Sequence, residues 1–162
     1  MDFKNYINTE EATIAEFVAI HKPITLNGLM NESFSKFDFT FYSAGTPNQY
    51  YTPQVDGVCE VKTRNFNSTN FPEGTIIELD KLQGVLKEVS KQKSEFENIN
   101  KTIKGFYLTK YLDKTFLFDL ESIDFGQIEY MKLPKATASN GNNGYHTKAV
   151  FIIPYDKAVL SY

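Results

Sequence analysis

Asp38, Glu60 and Lys62 are the residues whose types and spacing could do chemistry together. Asp38 lies in the strand-like run Phe37-Asp38-Phe39-Thr40-Phe41-Tyr42. Glu60 and Lys62 lie in a second run, Gly57-Val58-Cys59-Glu60-Val61-Lys62-Thr63-Arg64. Side chains alternate faces along a strand, so Val58, Glu60 and Lys62 share one face and Cys59, Val61 and Thr63 the other. Two acids and a lysine can thus converge beside a core, as a metal site on the surface of a packed sheet requires. This face is expected to be one that the core does not need.

The tripeptide alone decides nothing. With 20 acidic residues in 162 positions, chance gives about two acid-x-Lys matches, and the chain also has Asp2-Phe3-Lys4. Context raises the Glu60 match, because a turn-rich connection, Ser43-Ala44-Gly45-Thr46-Pro47-Asn48-Gln49, leads back to Asp38 and predicts a long hairpin. Asp56 is the rival acid. It stands four residues before Glu60, at the hairpin end of the same strand, and Asp38 on the neighbouring strand is the better partner.

The elements that must position these residues can be read in order. Thr9 is placed to cap a first helix carrying Glu10, Glu11, Ile14, Phe17, Val18 and Ile20, which Pro23 stops. A polar loop over Asn65 to Gly74 follows the second strand. Asp80 is placed to cap a helix with Leu82, Val85, Leu86 and Val89 at three-to-four spacing. The runs 105–111 and 115–120 flank a tight turn and predict an antiparallel pair in the same sheet. Lys148 to Ile153 is a buried strand ended by Pro154. The order describes an α+β domain, one over 1–162, with a mixed or antiparallel central sheet covered by helices.

Composition sets limits on partners. At 41% hydrophobic the chain can form a real core. A net charge of −3 supplies no general basic field for nucleic acid, so a polyanion must be met by a local patch or a metal. The single cysteine, Cys59, excludes an intrachain disulfide and reads as a buried small hydrophobe. With no apolar signal region at its start and no run of membrane-spanning length, the chain reads as a soluble cytoplasmic protein that does not meet membranes.

Asp38, Glu60 and Lys62, following a helix that bears acids, resemble the PD-(D/E)XK nuclease superfamily in order and spacing. The likeness covers roughly residues 8 to 120 and is best with small stand-alone phage or mobile-element nucleases and Holliday-junction resolvases. Leu133-Pro134-Lys135-Ala136-Thr137 and the run from Lys148 to Pro154 also look like phage members. Two departures stand: Phe37 occupies the place of the usual proline, and the connection to Glu60 is long. Gln83 is followed four residues later by Lys87, so the Gln-x-x-x-Tyr motif of RecB-like members is missing.

The resemblance implies a restriction-endonuclease-like core and Mg²⁺-dependent cleavage of DNA, endonucleolytic, with Mn²⁺ as substitute. It implies Asp38, Glu60 and the Val61 carbonyl as metal ligands, and Lys62 orienting the attacking water or offsetting transition-state charge. A third acid from the first helix is expected. Glu10, Glu11 and Glu16 compete; Glu16, mid-helix beside Phe17, ranks ahead of Glu11, and all three also read as solvated helix acids. Lys81 and Gln83 could reach a substrate phosphate, against an ordinary solvated helix face. A homodimer is allowed as the means of cutting two strands.

Other features favour structural roles. His21 and His146 are isolated and make no zinc site. Lys87, Lys91, Lys93, Lys101 and Lys104 are broken by acids and read first as a solvated surface. Tyr50 and Tyr51 could stack on bases, but with 14 Phe and 10 Tyr a tyrosine pair is unsurprising. The alternative to an enzyme is a non-catalytic protein that keeps the nuclease fold to bind nucleic acid or protein.

Overall fold

The structure is a computed structural model and describes residues 3–21, 24–29, 37–43, 56–95, 103–134 and 144–162. Helix α1 spans Phe3–Ile20. Its start corrects the cap expected at Thr9: the apolar repeat runs back through Ile7 and Phe3, so the helix passes through Thr9. Strands β1 (Ile24–Leu29), β2 (Phe39–Ser43) and β3 (Gly57–Thr63) form an antiparallel meander. The expected hairpin is present as β2 and β3. Its connecting residues, Tyr50 and Tyr51 included, lie outside the described residues.

After a 3₁₀ turn at Ser68–Asn70, β4 (Thr75–Glu78) runs directly into helix α2 (Leu79–Glu95). Asp80 therefore stands in the first turn instead of at the cap, still where a negative charge favours the helix dipole. The chain then returns through β5 (Lys104–Lys110), β6 (Thr115–Asp119), β7 (Glu129–Pro134), β8 (Tyr145–Ile153) and β9 (Leu160–Ser161). One sheet has the order β1-β2-β3-β5-β6-β9, the other β4-β8-β7. The class is α+β with a mixed central sheet: β3 and β5 pair in parallel, and every other pairing is antiparallel.

Two apolar layers follow from strand alternation. On one face of the large sheet, Ile14 and Phe17 of α1 pack on Phe39, Phe41, Cys59, Val61, Leu108 and Leu117. On the other, Val58, Tyr107, Phe116 and Phe118 meet Leu82, Val85 and Val89 of α2 together with Ile77, Phe151 and Ile153 of the small sheet. The sheet is therefore covered on both sides. This corrects the expectation that the face carrying Glu60 and Lys62 is dispensable to the core, because Val58 and Tyr107 of that face are buried in the larger cluster.

One polar knot joins the two sheets. Arg64, just past β3, donates from Nη2 to the Ile76 carbonyl of β4 at 2.8 Å. The Tyr107 hydroxyl of β5 donates to the same oxygen at 2.8 Å. The guanidinium also lies over the Tyr111 ring, 5.9 Å from its centre, a distance suited to cation–π attraction.

Gly57 is fixed by its cross-strand partner. The Phe41 ring lies over it, and a Cβ at Gly57 would come within 2.3 Å of that ring. Phe41 in turn packs against Phe17, Phe39 and Phe106. Gly57→Ala should therefore destabilise the protein by about 1–3 kcal/mol through overpacking. Urea denaturation would show this, and an unchanged midpoint would contradict the packing.

Candidate active site

The β2–β3 register decides whether the acids meet. Phe39 pairs with Cys59, and the Asp38 N–H donates to the Cys59 carbonyl at 2.9 Å, which sets Asp38 across from Glu60. Phe39 and Cys59 point toward α1, so Asp38 and Glu60 fall on the opposite face, toward α2. The Asp38 Oδ2 accepts the Val61 N–H at 2.5 Å. The acid is thus anchored to the backbone of the strand that carries its partner.

Glu60 is only 4% exposed. Its Oε1 meets the Lys81 ammonium of α2 at 2.8 Å, while its buried Oε2 has no hydrogen-bond partner. Burial first, then the Asp38 charge, pushes its carboxyl well above the usual range; Lys81 and, more weakly, Lys62 pull it back. Burial draws the Lys81 ammonium down, but the fields of Glu60, Asp38 and Glu10 outweigh burial and raise it. Lys62 is half-buried. Burial lowers its ammonium, against the pull of Glu10, Glu60 and Glu78, and nearby Arg64 lowers it further.

Of the first-helix acids, Glu10 is the one whose field reaches both Lys62 and Lys81. Glu16, expected among the metal ligands, is not brought there: its carboxylate pairs with Lys110 at the end of β5. Glu11 is exposed. Among the described residues, no group of three or more His, Cys, Asp or Glu could hold a metal ion as it stands. Asp38 and Glu60 are neighbours. A third carboxylate would have to come from a side chain that moves.

The remaining candidates divide. Asp56 sits at the far end of β3, its N–H donating to the Phe41 carbonyl. Lys81 enters the site through Glu60. Gln83 is exposed and lines an open groove of ≈ 370 Å³ with Leu79, Asp80, His146, Lys148 and Ala149. Glu78, which the sequence reading passed over, pairs with Lys148 at 2.7 Å and its field reaches Lys62. Its β-branched run Thr75-Ile76-Ile77 was the available signal. Cys59 is fully buried, and burial pushes its thiol far up, which suits an inert core residue.

His21 packs against aromatic rings, and three of the surface lysines are ion-paired. The His21 ring lies 4.9 Å from Phe17 and 5.4 Å from Tyr162, and burial lowers its pKa. Lys91 pairs with Glu88, Lys93 with Glu121 and Lys104 with Asp119. Lys87 is exposed, and Lys101 lies outside the described residues. Among the described residues no helix is long and apolar enough to cross a membrane.

No family model, curated protein or solved structure matches the chain.

The Asp38 charge is one of the two influences that raise Glu60, and Asn would keep an oxygen for the Val61 N–H. In Asp38→Asn the Glu60 carboxyl should therefore titrate at lower pH than in the wild type. Carboxyl ¹³C shifts followed against pH would show it. A midpoint that stays put or rises would mean the two acids do not share a field.

Proposed function

We propose that the protein is a small metal-dependent nuclease of PD-(D/E)XK type that hydrolyses phosphodiester bonds in DNA, endonucleolytically. The observation that carries this reading is the meeting of Asp38 and Glu60 across β2 and β3, with Lys62 two residues further along the same face. The element order supports it: a helix, a three-strand meander, and a crossover through α2 to a strand parallel with the third.

The donor set fits a hard divalent cation such as Mg²⁺, or Mn²⁺ in its place. Two carboxylates supply oxygen, and one buried oxygen, Glu60 Oε2, lacks any partner. Asp38, Glu60 and the Val61 carbonyl would hold the ion. It would supply charge stabilisation at the phosphorus and a water deprotonated near neutral pH. Lys62 serves as the proton-handling and charge-offsetting group, since its burial makes its ammonium a readier acid than a surface lysine. Asp38 stays oriented through the Val61 N–H. Packing of α2 over this face limits water around Glu60.

A second reading has one observation in its favour. The Lys81 ammonium already neutralises Glu60, as expected of a non-catalytic binding protein that keeps the fold without the ion.

Cleavage assays over linear, nicked, branched and single-stranded DNA separate the two. Mg²⁺ or Mn²⁺ should support cleavage, excess chelator should stop it, and Ca²⁺ should support binding with little turnover. Lys62→Ala should abolish cleavage with metal affinity nearly intact, whereas Glu60→Gln should lose both. Gln is the better probe because Glu60 is buried and Ala would leave a cavity. DNA binding in Ca²⁺ without cleavage of any of the four forms would favour the binding protein.

A further inference from the structure

The Lys81 ammonium of α2 holds Glu60 Oε1 of β3 at 2.8 Å, and Asp38, anchored on the Val61 N–H of that strand, stands across from Glu60. An incoming divalent cation seeks the same charges. It must therefore either take Oε1 from the lysine or share Glu60 with an ammonium beside it, and like charges at contact distance repel strongly when water is excluded. Glu60 Oε2, buried and without a hydrogen-bond partner, is the oxygen from which an ion could begin to compete.

We propose that Lys81 is a resident counter-ion for the acidic pair, a lysine that stands in for the divalent ion at Glu60 and is displaced from it when the ion binds. The inference rests on the nuclease reading and gives it an inactive resting form. Without metal, Lys81 compensates a buried carboxylate whose unpaired burial would be strongly destabilising. With metal, the ion takes over that compensation. Lys81 is thus a positioning residue that trades metal affinity for metal-free stability. Its place two residues into α2, which continues β4 without a break, lets the ammonium yield by rotating its own side chain while the helix stays packed through Leu82 and Val85.

The test is a calorimetric titration of metal-stripped protein with Mg²⁺, Mn²⁺ and Ca²⁺, together with melting curves with and without each ion. Lys81→Met should bind Mg²⁺ about tenfold tighter than the wild type, within the usual span of coupling between two sites. It should melt lower than the wild type without metal and regain that difference with it. Lys81→Gln removes the charge but keeps a donor for Glu60, so it serves if the Met variant fails to fold, and it too should bind more tightly. A wild type that binds the ions, with variants that bind equally or more weakly, would overturn the counter-ion role and leave the nuclease reading standing. A wild type that binds none of the three ions would overturn both.

Discussion

Placing a carboxylate inside a protein is the constraint from which the rest of this arrangement follows. Glu60 is in the middle of β3, between a strand that brings another acid and a helix that brings a lysine. A lone buried carboxylate would take up a proton or force local unfolding. Here Lys81 offsets the charge from above, while Asp38 works against it from the side. Glu60 thus sits between opposed charges. The two acids repel, Lys81 offsets part of that charge, and the sheet on one side and α2 on the other enclose the pair.

The two-layer covering of the large sheet makes this opposition possible. An antiparallel sheet with one wet face would let Asp38 and Glu60 be screened by water. Here α1 closes one face, and α2 with the small sheet closes the other. The parallel pairing of β3 with β5 is what forces the chain over that second face, since parallel neighbours need a crossover. The helix laid down by the crossover carries Lys81. The topology that makes the sheet mixed therefore also delivers the counter-charge.

The strand pair bearing Asp38 and Glu60 was legible in the sequence because a period of two fixes faces regardless of tertiary context. The apolar stripe of α2 was legible for the corresponding reason at helical spacing. The start of α1 was not, since Thr9 has the chemistry of a cap while the apolar repeat continues through it. β4, between the loop over Asn65 to Gly74 and the helix, was not legible: it is four residues long and runs straight into α2 without the turn residues that mark a strand end. β7 was hidden for another reason, as its exposed, half-polar sequence carries little burial pattern. Among the helix acids, rank by position favoured Glu16. Which of several acids a helix turns toward a site depends on its rotation against the sheet, and here Phe17 and Ile14 set that rotation by packing on Phe39 and Phe41.

The shared carbonyl of Ile76 has a geometric meaning beyond holding two sheets together. Sheets that touch only through apolar side chains can slide by fractions of an ångström, because such contacts have no direction. Two donors converging on one oxygen, Arg64 from the end of β3 and Tyr107 from β5, act as a datum point. Lys81 lies five residues further along the same continuous β4–α2 segment, and Glu60 four residues before Arg64 on the other limb. The charged contact thus closes a short loop of rigid segments pinned at its far end, and its tolerance is set by that pin. Loosening the pin would detune a pair of charges with which it shares no bond.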